Sequence, residues 1–487
     1  MKKNIIKISL AALTAFVTLT SCDRNLDQVS SINETVDQAM LRPESFRQAM
    51  DGAYTALKGA GYYNGDTGSQ LIMGDLTTDN LIRTASGRNS NFAASNFEFS
   101  SDNSQTTGLY SAAYLAISRT NFVLSYINNG VLSGTQKINI EAEARALRAI
   151  VHFDIVRAYS QIPTQSAGAK NSIGIYYSEK YSPLSNTASR NLTVEQVYDK
   201  IIADLLFAAD NITQNDADKG RMSKAAIYGL LSRVNLYKGD YANTIKYGEL
   251  ALGLSPSITT MDNFTRIWKE NEGLSRITDG VLFQVSNAPA ESNTVGSAYN
   301  QAVPNLRSEF VVDYDLYTAY TANDVRKSAY FTTSIYSGEK YNHVTKYAGN
   351  GGPANVVPIK YLRSAEVLLN VAEAHYRTGN PSQALTLLNK LRQERYSSFT
   401  PGTEAGQALL DAILKERRLE LAFENDRWYT LKRLGLSVQR SGKGDIFDGT
   451  GAPAVKQTLA AGSTKWQWPI PITAIQANPN IKQNDGY

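Results

Sequence analysis

The chain has 487 residues, of which 42% are hydrophobic and 19% are charged. This composition supplies enough apolar material for a packed core and excludes an intrinsically disordered protein. The formal net charge is +4, and loss of an N-terminal segment carrying Lys2, Lys3 and Lys7 would reduce it to 4 − 3 = +1. A charge this small gives no reason to expect a nucleic-acid partner.

The N-terminus has the pattern of a secretory signal peptide over residues 1–21. A basic start precedes an apolar run, Ile8 to Leu19, which is too short to span a bilayer. Cys22 is the only cysteine, so the chain can form neither an internal disulfide nor a cysteine metal site. Because this thiol directly follows Ser21, the segment resembles a bacterial lipobox. We predict that Cys22 is lipidated, with acyl chains such as palmitate, and begins a tether over residues 22–35. The alternative is an ordinary secretory signal with an incidental cysteine.

Apolar residues then recur at helical spacing along much of the chain. The predicted helices lie near Pro43–Leu57, Leu109–Ile127, Asn139–Tyr159, Val194–Asn211 and Gln407–Leu434. Thr193 and Gln196 fit a capping box at the start of the fourth of these helices. Residues 59–105 are rich in Gly, Asn, Ser and Thr, which predicts a loop-rich insertion.

Two further segments predict antiparallel helix pairs. In Leu362–Arg392 the turn at Gly379 separates two apolar stripes, which is the pattern of a tetratricopeptide unit of about 34 residues. Ser223–Pro256 has a similar pattern around Gly239. The two turn glycines are 379 − 239 = 140 positions apart, so the pairs are not tandem repeats.

A second insertion, about residues 257–361, therefore separates the two helix pairs. It contains short β-like runs such as residues 280–285 among frequent Gly, Asn, Pro and Ser. We predict one mostly α domain over residues 36–487. Its tetratricopeptide-like helix-pair scaffold carries a large loop-rich insertion with minor β structure.

Charged residues near the end of the chain could suggest acid–base chemistry, because Glu416, Glu420 and Glu424 share one helix face. Arginines such as Arg417 and Arg418 lie beside these carboxylates. Paired charges of this kind normally tie a helix to its neighbours, so we interpret the run as structural.

The sequence predicts no catalytic residue, no metal site and no cofactor. His152, His343 and His375 lack the i,i+3 or i,i+4 spacing of paired metal ligands. Asp216 to Gly220 faintly resembles a calcium loop, but it lacks the later ligands and the bidentate glutamate, so we predict a turn.

Aromatic residues in the loop-rich regions are the candidate ligand contacts, because no packing period accounts for them. Exposed rings offer flat apolar faces to sugar rings or peptide side chains. The candidates are Tyr62, Tyr63, Tyr299, Tyr314, Tyr317 and Tyr336. Asp79 and Asn80 could hydrogen-bond a ligand or cap a local turn. Trp268 precedes a buried β-like run and is interpreted as framework.

Several segments, in the right order, resemble the SusD/RagB family. They are Ser21-Cys22 with Leu26-Asp27, EARALRA at 143–149 with Phe153 and Pro163, VYDKIIADL at 197–205, LKERRLELAFENDRWYTLKR at 414–433, and the ending at 468–487 with Pro469-Ile470-Pro471, Asn478-Pro479, Gln483-Asn484 and Gly486-Tyr487. Ser160, Asn425 and Thr430 depart from the residues usual in the family. The departures at Asn425 and Thr430 weaken any family role at those two positions.

The resemblance implies a fold of tetratricopeptide-type helix pairs with a loop-rich ligand-binding half. It also implies a surface-exposed, lipid-anchored protein of the outer membrane. Such a protein binds an oligosaccharide or peptide nutrient and delivers it to a SusC-like TonB-dependent transporter, without catalysis. The alternatives are a surface glycan- or peptide-active enzyme and a repeat scaffold or adhesin.

Overall fold

The computed structural model describes residues 35–65, 69–181, 188–213, 217–269, 279–287, 295–300, 307–349 and 357–487. The predicted signal peptide, Cys22, most of the predicted tether and Asp216 lie outside the described residues. The described residues up to Arg47 belong to one compact unit, and the described residues from Gln48 onward belong to a second. In the first unit, helix α1 (Val36–Ala39) begins at Thr35, which forms a capping box with Gln38.

The chain is mostly helical, as predicted. The helices after α1 are α2 Pro43–Ala56, α3 Gln70–Leu76, α4 Phe92–Ser95, α5 Ser104–Tyr126, α6 Gly134–Tyr159, α7 Val194–Asn211, α8 Lys224–Lys238, α9 Tyr241–Leu254, α10 Met261–Phe264, α11 Arg266–Lys269, α12 Val295–Tyr299, α13 Tyr314–Ala319, α14 Val325–Tyr330, α15 Ser364–Arg377, α16 Pro381–Gln393, α17 Gly406–Glu420, α18 Arg427–Arg433 and α19 Ile472–Ala477. Short 3-10 turns lie at Ala169–Asn171 and Thr464–Trp466. Within the described ranges, none of these helices is long and apolar enough to cross a membrane.

The two predicted helix pairs are present and are neighbours in space despite their separation in sequence. α8 packs along α9, α15 packs along α16, and α9 also packs against α15. Gly248 on α9 permits this contact, because a Cβ there would lie 2.3 Å from Val371 Cγ2 on α15. The predicted turns at Gly239 and Gly379 are confirmed, since both glycines have positive φ. α8 ends at Gly239 in the left-handed conformation, and Pro381 is the first residue of α16.

The predicted helix over Gln407–Leu434 is wrong in one respect, because the structure divides it into α17 and α18. Phe423 and Asn425 between them have φ values of 68° and 63°. Left-handed backbone cannot continue a right-handed helix, so the chain turns there. The capping box of Thr193 and Gln196 at the start of α7 is confirmed.

Minor β structure is present in the insertion at about residues 257–361, as the sequence predicts, and further short strands lie outside it. The strands are β1 Leu81–Arg83, β2 Val281–Val285, β3 Phe310–Val312, β4 Phe331–Tyr336, β5 Glu339–Val344, β6 Ile359–Arg363, β7 Val438–Gln439 and β8 Thr458–Leu459. The antiparallel sheet β1-β3-β5-β4 joins the two loop-rich regions, while β2 pairs with β6 and β7 with β8. Ser337 and Gly338, both with positive φ, form the turn between β4 and β5.

We call α8, α9 and α15 to α18 the helical frame. Its charged run is structural, as predicted, because the carboxylate of buried Glu420 accepts hydrogen bonds from two buried arginines. Arg395 donates from Nε and Nη2 at 2.8 and 2.9 Å, and Arg363 donates from Nη1 at 2.7 Å. Nearby, Glu373 accepts from Arg433 at 2.6 and 2.8 Å. Burial alone would raise the pKa of Glu373, but Arg433 and Arg377 outweigh it and lower the pKa to about 2.

Candidate ligand-binding site

The prediction that Tyr62 and Tyr63 are exposed is wrong. Both side chains are buried, and their hydroxyls donate to Oδ2 of Asp154 at 2.6 and 3.2 Å. Arg157 and Tyr361 complete the hydrogen bonding of this buried carboxylate. Burial raises the pKa of both tyrosines. The two rings belong to the core, because turning them outward would remove two of the hydrogen bonds that the buried Asp154 carboxylate accepts.

The structure places Asp79 and Asn80 in the core as well. Asp79 accepts two hydrogen bonds from Arg427, at 2.8 and 2.7 Å, and forms an ion pair with Arg418. Asn80 donates to Asp75 at 2.7 Å and accepts from Arg418 at 2.8 Å. Neither of the two predicted roles describes these side chains. They attach the loop before β1 to α17 and α18.

Tyr299 is also buried, which contradicts its assignment as an exposed ring. It packs between Tyr347 and Phe423, with ring centroids 6.0 and 5.9 Å away. Trp268 is fully buried, so the interpretation of this residue as framework is confirmed. Its neighbours include Tyr330, whose ring lies 6.0 Å away.

Tyr314, Tyr317 and Tyr336 are half-buried around the four-stranded sheet. Gly449 approaches the Tyr314 ring so closely that a Cβ at that glycine would lie 2.8 Å from Cδ1 of the tyrosine. Lys327 Nζ lies 4.6 Å from the centre of the Tyr317 ring. Whether these three tyrosines contact a ligand stays a prediction.

A cavity of about 120 Å³ lies between β1 and residues 452–455, and we call it the sheet cavity. Ile82 and Ala454 line it, and Tyr336 packs against the same apolar cluster as these two residues. Val455, which is 65% exposed, lies at its wall. One of the predicted tyrosines therefore shares an apolar cluster with two lining residues, while the lining itself comes from residues 81–96 and 440–455.

Arg83 on β1 lines the sheet cavity and is half-buried. Its guanidinium carbon lies 5.0 Å from the centre of the Phe92 ring, which is 36% exposed. Across the described ranges, no carboxylate pairs with Arg83. Its donors are therefore available to a ligand, and the nearby phenylalanine offers an accessible ring.

Asn96 supplies a second polar group to the cavity wall. Its side chain is buried, yet Nδ2 has no hydrogen-bond partner in the part of the chain that the structure describes. A buried amide without a partner costs stability, so a ligand acceptor or water at this position would be favourable. The amide and the guanidinium of Arg83 can both donate to hydroxyl or carbonyl oxygens of a ligand.

Arg440 also lines the sheet cavity, and its hydrogen bonds hold the neighbouring backbone in place. Its guanidinium donates to the backbone carbonyls of Leu76, Thr78, Ser95 and Lys456 at 2.6 to 3.0 Å. Burial lowers the pKa of Arg440 to about 10. These bonds hold three separate chain segments together, so the role of Arg440 is to position the wall.

Arg83, Phe92 and Asn96 were not predicted from the sequence as candidate ligand contacts. One signal was available, because Phe92 is a lone large apolar residue in the otherwise polar stretch RNSNFAASN at 88–96. Among the described residues, no group of three or more His, Cys, Asp or Glu side chains is placed to hold a metal ion. The cavity wall thus offers a cationic and a neutral hydrogen-bond donor, and the Phe92 ring lies beside it against Arg83.

Two family models match consecutive parts of the chain. One is described as the SusD family and matches residues 256–487. The other is described as starch-binding associating with outer membrane and matches residues 26–236. The chain belongs to the SusD/RagB family. SusD-like proteins are binding proteins, and the family is associated with the outer membrane.

Known SusD-like proteins match this chain over almost its whole length. SusD-like protein P2 of Formosa agariphila is 26% identical over 99% of this chain and 100% of its own. A SusD superfamily structure from Bacteroides thetaiotaomicron has a TM-score of 0.76 at 22% identity, covering 91% of this chain and 99% of its own. A SusD-like carbohydrate binding protein from Bacteroides vulgatus has a TM-score of 0.77 at 18% identity, covering 90% and 97%. The fold predicted from the sequence is confirmed.

Proposed function

We propose that this SusD/RagB protein is a cell-surface lipoprotein that captures an oligosaccharide or peptide nutrient and delivers it to a SusC-like TonB-dependent transporter. One observation of the structure carries the capture step. The sheet cavity is lined by Arg83, for which the described residues supply no carboxylate, and by Asn96, whose amide lacks a partner among them. The partly exposed Phe92 ring lies against the Arg83 guanidinium beside the cavity. Groups left unpaired at a cavity wall can exchange hydrogen bonds with a ligand at little cost.

A carbohydrate is the ligand class that the wall favours over a peptide. Sugar hydroxyls accept from guanidinium and amide donors, and sugar rings stack on aromatic faces. The family description as starch-binding supports the same class. A peptide ligand is the competing outcome of the binding experiment.

The experiment is a calorimetric titration of the purified protein with maltooligosaccharides, other neutral oligosaccharides and a set of short peptides. Phe92→Ala and Arg83→Ala should each weaken oligosaccharide binding about tenfold, because each removes one contact of the ligand. Tyr181→Ala is the matched control, since this ring is 40% exposed and does not line the cavity. Equal affinity of all three variants for the ligand would overturn the assignment of the site.

Three further experiments distinguish the alternative functions. Turnover of a polymer by the purified protein would establish the surface enzyme and overturn a binding role. Co-purification with a soluble partner, and without a SusC-like transporter, would favour the scaffold or adhesin. Recovery of the transporter from detergent-solubilised membranes, in wild type and in Phe92→Ala alike, would support delivery, because the variant alters only the ligand contact.

Lipid anchoring has its own test. Cys22→Ala should leave the folded domain intact and move it from the membrane fraction to the soluble fraction, since the acyl chains would have no attachment site. Arg83→Ala, prepared in the same way, should stay in the membrane fraction. Retention of Cys22→Ala in the membrane would contradict the lipoprotein assignment.

A further inference from the structure

A second cavity, of about 390 Å³, lies between residues 160–173 after α6 and residues 461–485 near the C-terminus. We call it the polar cleft. It has no lining residue in common with the sheet cavity. Its volume falls in the range of about 300–1,000 Å³ that is usual for small-ligand sites.

The side chains that line the polar cleft are almost all neutral and polar. Only Ile173, Ala461 and Gly462 among the lining residues lack a polar side chain, and neither lysine nor arginine is present in that described lining. Asp485 supplies its one carboxylate. This chemistry does not suit an anion, and it offers almost no apolar surface to the side chains of a peptide.

The floor of the cleft is held rigidly by hydrogen bonds to the backbone. Gln483 accepts from the Ile470 nitrogen at 2.7 Å and donates to the Ile470 carbonyl at 2.9 Å. Asn484 donates to the carbonyls of Tyr159 and Trp468, both at 2.7 Å. Both amides therefore have a structural role, because they hold the cleft floor against the backbone of residues 159, 468 and 470.

Other lining groups keep hydrogen-bonding capacity for a ligand. The Gln161 oxygen accepts from Ser166, and the Gln165 oxygen accepts from the Ile162 nitrogen at 3.1 Å. Both NH2 groups thus remain as donors, with no acceptor for them among the described residues. The Asp485 carboxylate is exposed and likewise has no donor in the described ranges. Two amide donors and a carboxylate acceptor match the alternating donors and acceptors of sugar hydroxyls.

We infer that the polar cleft is a second binding site, for a neutral saccharide of one or two rings. A second site on one chain would prolong the residence of a polymeric ligand, because rebinding at one site becomes intramolecular while the other is occupied. The inference holds whether or not the sheet cavity binds ligand.

Gly462 gives a direct way to fill the cleft. A Cβ at this exposed lining residue would meet no atom within 4 Å, so Gly462→Trp should place a ring in the cleft without disturbing the fold. Gly253→Trp is the matched control, since Gly253 on α9 is also exposed and open and does not line the cleft. Asp485→Asn is a milder variant that removes only the charge.

The measurement is ligand-observed NMR titration with glucose, galactose, mannose, xylose, maltose and cellobiose, on protein that already carries Phe92→Ala and Arg83→Ala. We expect binding of at least one sugar, about tenfold weaker binding after Gly462→Trp, about threefold weaker after Asp485→Asn, and no change after Gly253→Trp. Absence of binding to all six sugars at about 50 mM would overturn the inference. Equal affinity of the Gly462→Trp and Gly253→Trp proteins would also overturn it.

Discussion

The helical frame and the sheet cavity use the same kinds of side chain in opposite ways. In the frame, the buried carboxylate of Glu420 is matched by Arg363 and Arg395. At the cavity, Arg83 faces an aromatic ring, and Asn96 keeps an amide donor that no described residue accepts. Paired buried charges stabilise a particular packing, whereas unpaired groups at a cavity wall cost stability until something binds them. The comparison therefore separates residues that hold the fold from residues that can hold a ligand.

The largest effect should come from removing one carboxylate of the frame. Glu420→Ala would leave buried Arg395 without its carboxylate partner and Arg363 with Glu424 alone. Breaking a buried ion pair in this way typically costs about 3–5 kcal/mol of unfolding free energy. Urea unfolding followed by circular dichroism measures this loss. Glu179→Ala is the control, because its ion pair with Lys200 is largely exposed and contributes no more than about 1 kcal/mol. Similar losses in both variants would remove the distinction between frame and surface.

The structural role of this charge network was predictable from the sequence, but its partners were not. Glu416, Glu420 and Glu424 recur once per helical turn with arginines beside them. Glu420 nevertheless pairs with Arg363 and Arg395, which are 57 and 25 positions away in the chain. The helix pairs were predictable because the spacing of their apolar residues is a local signal. The break at Phe423 was not, since a left-handed phenylalanine has no signal in composition or spacing.

The burial of the predicted tyrosines depends on distant parts of the chain. Tyr62 finds its partner Asp154 92 positions later, and no local pattern reveals that contact. The sheet cavity likewise combines β1 with residues 452–455, which are more than 360 positions away. Arg83 and Phe92 are close to each other in the sequence, but the residues at 452–455 that complete the cavity beside them are distant in the sequence.

Protonation of His152 should weaken the fold while leaving ligand affinity unchanged. His152 is buried, its Nδ1 lies 2.9 Å from the Arg148 carbonyl, and its Nε2 accepts from the Ser178 nitrogen. Burial lowers the pKa of His152 to about 3. The folded state thus resists a proton that the unfolded state takes up near pH 6.5, so stability present above pH 6.5 is lost as the pH falls toward 3.

Between pH 7 and pH 5 the contribution of His152 should fall by about 2 kcal/mol, from a slope near 1.4 kcal/mol per pH unit below pH 6.5. Urea unfolding of the wild type and of His152→Gln at both pH values measures this contribution as the difference between the two proteins. Asp75 and His343, whose pKa values are about 7 and about 4, titrate in both proteins and cancel in the comparison. Guanidinium and amide groups do not titrate in this range, so calorimetric affinity at the sheet cavity should stay constant. A loss of affinity that parallels the loss of stability would contradict a site independent of the frame.

Two aromatic variants compare a ring of the core with a ring of the site. Tyr62→Phe removes the hydroxyl that donates to Asp154 and should cost about 1–2 kcal/mol of stability, with ligand affinity unchanged. Phe92→Ala should instead weaken ligand affinity and leave stability nearly unchanged. Because its ring is partly exposed, the unfolding free energy should change by only about 0.5 kcal/mol. Thermal unfolding and calorimetry on the same preparations test both halves. If Tyr62→Phe bound the ligand more weakly than the wild type, Tyr62 would be a ligand contact and not only a core residue.

The smallest effect should be a gain in stability on an open helix face. Gly52 lies inside α2, and a Cβ there would meet no atom within 4 Å, so Gly52→Ala should raise the unfolding free energy by about 0.5–1 kcal/mol through helix propensity alone. Gly248→Ala is the matched helical glycine of the frame, where the added Cβ would lie 2.3 Å from Val371 Cγ2. That variant should lose stability, because α9 and α15 would have to move apart. If urea unfolding shows a gain in stability for Gly52→Ala and a loss for Gly248→Ala, close helix contact explains the glycine in the frame. A gain in stability for both variants would contradict this explanation.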